Sequence, residues 1–285
     1  AAEHRGLRVT GSELVGLIPL KAMTDAADFF LRKQNRSLGI SEREKIKIAI
    51  KSLGLDDLKP FDPDQKIIEY LLEKDQPEKL VDLTASNLTE ETASESVAPG
   101  GGSISAYVGA LGVALGTMVA NISAHKPGWD DRWEEFSDWA EKGQKYKDRL
   151  LFLVDEDTRA FNKIIEAFRM PKGSEEEIRK RKQAVEDATR YATEIPLQVM
   201  ETALSSMEVM EAMLEKGLQT SLSDAGVGIL CARTAVLGAY FNVKINAKDL
   251  KNRAAAEDLL AKAERIYDEA LVREAEAIAF IESKM

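Results

Sequence analysis

Cysteine is nearly absent from this sequence. Cys231 is the only one in 285 residues, which excludes an internal disulfide and any cysteine-built metal cluster. Histidine is almost as scarce, with only His4 and His125, so no histidine-rich metal centre is expected and the metal ligand set is taken as none. A surplus of positive charge is also missing. A formal net charge of -10 argues against nucleic acid or an anionic membrane surface as the main partner, because both need clustered Lys and Arg, and neither is expected. The opening stretch AAEHRGLRVTGSELVG has no initiator Met, no basic n-region and no apolar h-region, so it is not a signal peptide and reads as the interior of a longer protein. A reducing, cytoplasmic setting is the expectation.

What is present is an ordinary globular balance, 44% hydrophobic and 31% charged, in a chain long enough for one large domain or two. Residues 1–75 read as a strand (LRVTGSELVGLIP) followed by three helices. The helices are LKAMTDAADFFLRKQ, ISEREKIKIAIKSLGL with a Ser N-cap, and FDPDQKIIEYLLEK with Pro63 in its first turn. KDQPEK is the expected linker. From residue 76 onward the periodicity is helical throughout, with runs beginning near Pro77, Gly102, Asp130, Ser174, Ser223 and Ala247 and breaks at KPGW, MPKGS and KGLQ. Long amphipathic helices with short connections predict an antiparallel bundle, so the fold class is mainly α with a small strand-plus-helices segment in front.

Two of these helices carry little charge. From Ser103 to Ser123 there is none, directly behind three consecutive glycines in SVAPGGGSISAYVG. A transmembrane span is the first alarm, but the Ser, Thr, Asn and Gly content and the missing basic anchors favour a surrounded central helix. Its Gly and Ala faces also permit close packing across a dimer seam. The turn at Pro99, Gly100, Gly101, Gly102 and Ser103 is either an anion- or oxygen-binding helix N-terminus or a tight helix entry. In SLSDAGVGILCARTAVLGAYFNVKIN, Ser223 or Asp224 is expected to cap a similar helix, and Arg233 is the only charge between Asp224 and Lys244. An Arg so placed meets a carboxylate of the protein or of a ligand.

Alternating steps of four and three from Trp129 reach Trp133, Phe136, Ala140, Gly143, Lys147, Leu150, Val154, Asp157, Phe161, Ile164 and Phe168. That seam is apolar or small except at Lys147 and Asp157. Asp155 lies about 200° away at ~100° per residue, and is expected to pair with Arg159 at the surface. A buried carboxylate costs on the order of several kcal/mol unless it is paired, protonated or used. Asp157 is therefore either a structural partner of Lys147 or Arg233, or an acid/base group of raised pKa.

Taken in order, APGGGS, VDEDTRAF and SDAGVG with GAYFNVKIN resemble the cyclodeaminase/cyclohydrolase family, over residues 78–285. In that family such a unit forms the C-terminal half of formimidoyltransferase-cyclodeaminases. Residues 1–75, with GSELVGLIPLKA and SLGLDDLKPFDP, are similar to the tail of the formimidoyltransferase half. That half's catalytic histidine region is absent here, so the transferase activity does not carry over. The expected division is a formimidoyltransferase-like remnant and linker over 1–75 and the helical domain over 76–285.

The resemblance implies an ammonia-lyase without a prosthetic group, a homodimer or larger homo-oligomer. Its expected activity converts 5-formimino-tetrahydrofolate, polyglutamylated or not, to 5,10-methenyl-tetrahydrofolate and ammonia in histidine breakdown. The family's proposed catalytic aspartate falls on Asp157, which the seam also singles out. At SAHKPGWDDRW the sequence departs from the pattern, keeping Lys126 as a positive charge. The glycine turn and Ser223–Asp224 are expected to hold the pterin, and Lys126 or Arg233 the glutamate carboxylates. The alternatives are a methenyltetrahydrofolate cyclohydrolase on the same scaffold and a non-catalytic oligomerisation module.

Overall fold

A computed structural model describes residues 3–7, 12–73 and 79–285. Two short helices open it, α1 (Leu20–Lys33) and α2 (Glu42–Leu53), the second started by Ser41, whose hydroxyl accepts the Glu44 N–H. Next come α3 (Pro63–Lys66) and α4 (Ile68–Glu73), with Pro63 in the first turn as its fixed φ favours. These two were expected as one helix. Ile67 breaks it by taking an extended conformation, φ -89° and ψ 125°, where it meets Ile18 in a single parallel bridge.

That bridge is all that appears of the expected strand among the described residues. The Ile18 N–H donates to Lys66 O and the Ile68 N–H to Ile18 O, and Pro19 then starts α1. Among the described residues no second strand lies beside it to build a ladder. Residues 8–11 of the expected strand, and 74–78 of the expected linker, lie outside the described residues.

The remainder is helical: α5 (Ala85–Thr92), α6 (Gly101–Ala124), α7 (Trp133–Arg169), α8 (Glu175–Lys216), α9 (Leu222–Asp249) and α10 (Arg253–Glu282). The breaks fall where KPGW, MPKGS and KGLQ foretold, and Ser174 with Glu177 closes a reciprocal capping box on α8. Helix α6 packs against α7, α8 and α9 at once, which is why it needs no polar face. Both α6 and the stretch Gln219–Asp249 are long and apolar enough to cross a membrane by composition, but 61% of the α6 window is buried by its neighbours. Close approach rests on paired glycines: a Cβ on Gly112 would stand 2.7 Å from Gly228 O, and one on Gly228 would stand 2.8 Å from Gly112 O. Gly101 faces Asn242, Gly109 faces Ala235 and Gly112 faces Cys231, so α6 and α9 run antiparallel.

Two apolar clusters result. The larger joins α6 to α10, including Val113, Phe136, Leu150, Met207 and Val236. The smaller unites Met23, Ala27, Ile46, Ala49, Ile50 and Ile67 of the N-terminal segment. The loop between α1 and α2 pins the second to the first. Gly39 O accepts from Asn121 Nδ2 at 2.8 Å and Gln144 Nε2 at 3.0 Å, while the Leu38 N–H donates to Ser137 Oγ at 2.9 Å.

Candidate active site

The glycine turn and the misplaced aspartate prove to be one feature. Gly100 is the N-cap residue of α6, and α7 brings Asp157 directly onto this helix start. Asp157 Oδ2 accepts from Ser103 Oγ at 3.0 Å, and the Ser103 backbone N–H also favours the ionised carboxylate. A side chain from α7 thus supplies the oxygen cap that Gly100 lacks, and its negative charge meets the positive end of the α6 dipole. Gly102 is what makes this possible: a Cβ there would lie 2.3 Å from Asp157 Oδ1 and 2.6 Å from Cγ. Gly100 has open space beside it, and Gly101 has only Asn242 nearby, so these two border a void.

That void is a cavity of about 260 Å³ lined by Gly100, Gly101, Gly102, Asp157, Asn242 and Asn246, with Phe161, Ile164 and Ala192 as apolar wall. Phe161 was expected inside the seam. It is 43% exposed because its ring faces this opening, and Phe168 further on is 55% exposed, so the fully buried seam ends at Val154 and Asp157 is half-buried at the cavity.

The three acids of VDEDTRAF meet three fates. Asp155 accepts the Leu80 N–H at 2.7 Å, and burial holds its carboxyl above the usual range. It does not pair with Arg159, because Glu156 takes that guanidinium at 3.0 Å together with the Tyr191 hydroxyl. Burial alone would raise Glu156, but Tyr191, Arg159 and Lys163 outweigh it and hold the carboxyl below its usual range. Asp157 has no such cation among the described residues. Lys147 bonds Gln144 at 2.6 Å and Asp148 at 3.0 Å, and Arg233 stands 3.0 Å from Glu274 on α10. The Arg233 Nε–H does not point at that carboxylate, so the attraction is electrostatic without a hydrogen bond. Burial therefore dominates at Asp157 and pushes its pKa up, against the lesser opposing effect of the two Ser103 donors.

The remaining expected binding residues lie elsewhere. Antiparallel packing puts the start of α9 against the C-terminal end of α6, where the Leu218 N–H donates to Ser123 Oγ at 3.1 Å. Ser223 and Asp224 follow that contact, about 27–29 Å along α9 from the Asn242 that abuts Gly101, by the rise per residue. Nor do they cap α9, which starts at Leu222 with Ser221 before it, so both sit within its first turn. Lys126 also follows α6, with Nζ 4.0 Å from the Trp129 ring centroid. The cavity thus unites Gly100, Gly101, Gly102 and Asp157, with Ser103 on the carboxylate, whereas Lys126, Ser223, Asp224 and Arg233 are outside it. Pro99 directly precedes the turn. Asn242 and Asn246 went unassigned although GAYFNVKIN displays two asparagines one turn apart, a pattern that puts both on one face. No group of three or more metal-ligating side chains converges among the described residues.

Residues 84–265 match the family model described as formiminotransferase-cyclodeaminase, and residues 1–73 match the formiminotransferase domain. The chain belongs to the formiminotransferase-cyclodeaminase family. It is 35% identical to the mouse formimidoyltransferase-cyclodeaminase over 284 residues, 99% of this chain and 52% of that protein. The chain spans about half the length of such curated relatives. A methenyltetrahydrofolate cyclohydrolase of Methylorubrum extorquens is 34% identical over 191 residues, 65% of this chain and 92% of that protein. Among solved structures, a formiminotetrahydrofolate cyclodeaminase from Thermotoga maritima superposes with a TM-score of 0.64 at 23% identity, covering 72% of this chain and 98% of its own, which establishes the shared helical fold.

Proposed function

We propose that this chain is a formimidoyltetrahydrofolate cyclodeaminase, forming 5,10-methenyl-tetrahydrofolate and ammonia from 5-formimino-tetrahydrofolate, with Asp157 as the proton carrier. The observation that carries this reading is a carboxylate of raised pKa, unpaired with any cation among the described residues, at the wall of a cavity beside a helix N-terminus. The reaction needs one group that both takes and gives a proton. N10 of the substrate attacks the protonated formimino carbon, the new C–N10 bond forms, and Asp157 accepts the proton that N10 sheds. The same proton then goes to the former imino nitrogen, whose bond to carbon breaks as ammonia leaves. The product is cationic, and the ionised carboxylate stabilises it. A carboxyl displaced toward neutrality by burial is suited to both roles.

At about 260 Å³ the cavity is near the small end of ligand pockets, commonly roughly 300–1,000 Å³. It has room for the bicyclic end of a folate, so the benzoylglutamate tail extends outward past Phe161. The second reading is a methenyltetrahydrofolate cyclohydrolase, supported by the Methylorubrum relative, in which Asp157 would activate water instead. Incubation with each substrate separates them. Ammonia released with growth of methenyl absorbance from the formimino compound supports the deaminase, whereas turnover of the methenyl compound alone supports the hydrolase. A purely structural role for the bundle predicts neither.

For its partner we propose a second copy of the chain, through the outward faces of α6 and α9. Leu111, Met118 and Ile122 on one helix and Val227, Leu230, Phe241 and Ile245 along the other are exposed, and α6 contributes no charge. Light scattering on a sizing column tests this: a dimer that Leu230→Glu splits supports the seam, and a monomeric wild type rejects it.

A further inference from the structure

Asn242 and Asn246 line the cavity but take no part in the proton transfers above. Each amide has a backbone carbonyl as neighbour: Asn242 Nδ2 donates to Gly238 O at 2.9 Å, and Asn246 Nδ2 donates to Ala192 O at 2.7 Å. A carbonyl can only accept, so the NH2 must face it and the amide oxygen must face away. These are the only side-chain hydrogen bonds the two residues make among the described residues, and neither amide oxygen is a buried, unpaired atom. Both oxygens are thus open acceptors of fixed orientation in the cavity wall.

The partner of Asn246 has a cause in another helix. Ala192 stands four residues before Pro196, which lies inside α8. In an unbroken helix the N–H of residue 196 would bond the Ala192 carbonyl, but proline has none. The freed carbonyl is the one that Asn246 reaches across from α9. A proline that looks like a helix defect thereby sets the orientation of a side chain in the site.

We propose that Asn246 is a substrate-binding residue whose oxygen accepts an N–H donor from a 2-aminopyrimidinone ring, and that Pro196 is the positioning residue that fixes this amide. The identity of the ring rests on the folate reading above. The placement follows the order of contacts along the turn. Gly102 abuts Asp157, Gly101 abuts Asn242, and Asn246 lies one helical turn further, toward α8. With the reacting carbon beside Asp157, the far edge of the bicycle, where N3–H and the 2-amino group donate, comes to Asn246. Asn242 stands between the two.

The test is a calorimetric titration of 5-formyltetrahydrofolate into the wild-type chain, Pro196→Ala, Asn246→Ala and the double variant. Asn246→Ala is expected to weaken Kd about tenfold, the worth of one hydrogen bond. Pro196→Ala returns an N–H to the Ala192 carbonyl and releases the Asn246 amide to rotate, so Kd weakens about threefold to tenfold while the thermal midpoint does not fall. In the double variant Kd equals that of Asn246→Ala alone, and the midpoint recovers what Asn246→Ala loses, because the restored N–H satisfies the carbonyl. Wild-type affinity in Pro196→Ala, or losses that multiply in the double variant, would overturn the positioning role. Unaltered affinity in Asn246→Ala would overturn the contact. A wild type that binds no 5-formyltetrahydrofolate would overturn the folate reading itself, and with it the ring assigned to Asn246.

Discussion

The two ends of α6 differ in what covers them. At its N-terminus the helix meets a carboxylate from α7 and a void, with Gly102 leaving space for the carboxylate and nothing beside Gly100. At its C-terminal end it is sealed, with Asn121 holding Gly39 O and Ser123 receiving the Leu218 N–H. The open end keeps a group whose ionisation is costly, and the closed end gives the Asn121 amide nitrogen and the Ser123 hydroxyl to protein partners. The first arrangement caps the helix but also leaves a carboxyl of raised pKa facing a void, which is why the proposed chemistry is assigned to that end.

Substitutions at the two ends should therefore separate turnover from stability. Asp157→Asn is the largest expected effect: kcat falls about 10²–10⁴-fold, the range for losing a general acid/base group. Its stability should not fall at neutral pH. A carboxyl whose folded-state pKa is raised favours the fold while protonated, and that contribution disappears as pH rises through the folded value. The variant's thermal midpoint should thus exceed wild type at neutral pH and converge with it in acid.

Gly102→Ala pushes a methyl to within 2.3 Å of the carboxylate and must displace it, so kcat should drop by roughly tenfold or more with a smaller loss of stability. Gly39→Ala probes the closed end, where a Cβ would lie 2.1 Å from Ala140 Cβ and 2.4 Å from its backbone carbon. It should cost about 1–3 kcal/mol in urea unfolding and leave kcat within about twofold, because the collision is with a packed helix far from the cavity. Lys126→Ala should do least, changing kcat/KM less than about twofold, since its ammonium lies over Trp129. A large activity loss from either closed-end variant would break the contrast.

Much of this could be read beforehand. Helix breaks at KPGW, MPKGS and KGLQ are local signals and fall where composition puts them. Asp157 stood out because a single carboxylate interrupts an apolar seam, although the same period also marked Phe161 and Phe168, which are exposed. What failed depended on partners distant in the chain. SDAGVG imitates the start of α6, but only the antiparallel packing reveals that its turn belongs to the opposite end. Asp155 was matched to Arg159 by spacing, yet Glu156 is also within reach of that guanidinium and has Tyr191 beside it. Pro196 and Asn246 are unremarkable singly, and their connection exists only where α8 meets α9. The strand at Ile18 had the right residues but only one bridging partner.

The most direct measurement is the pH dependence of kcat/KM for ammonia release from 5-formimino-tetrahydrofolate by the wild-type chain and by Asp157→Asn. An acid limb whose midpoint lies above that of an ordinary aspartate, and which is missing from the variant's residual activity, is the predicted result. A limb at the ordinary aspartate value, or one retained unchanged in Asp157→Asn, would contradict it.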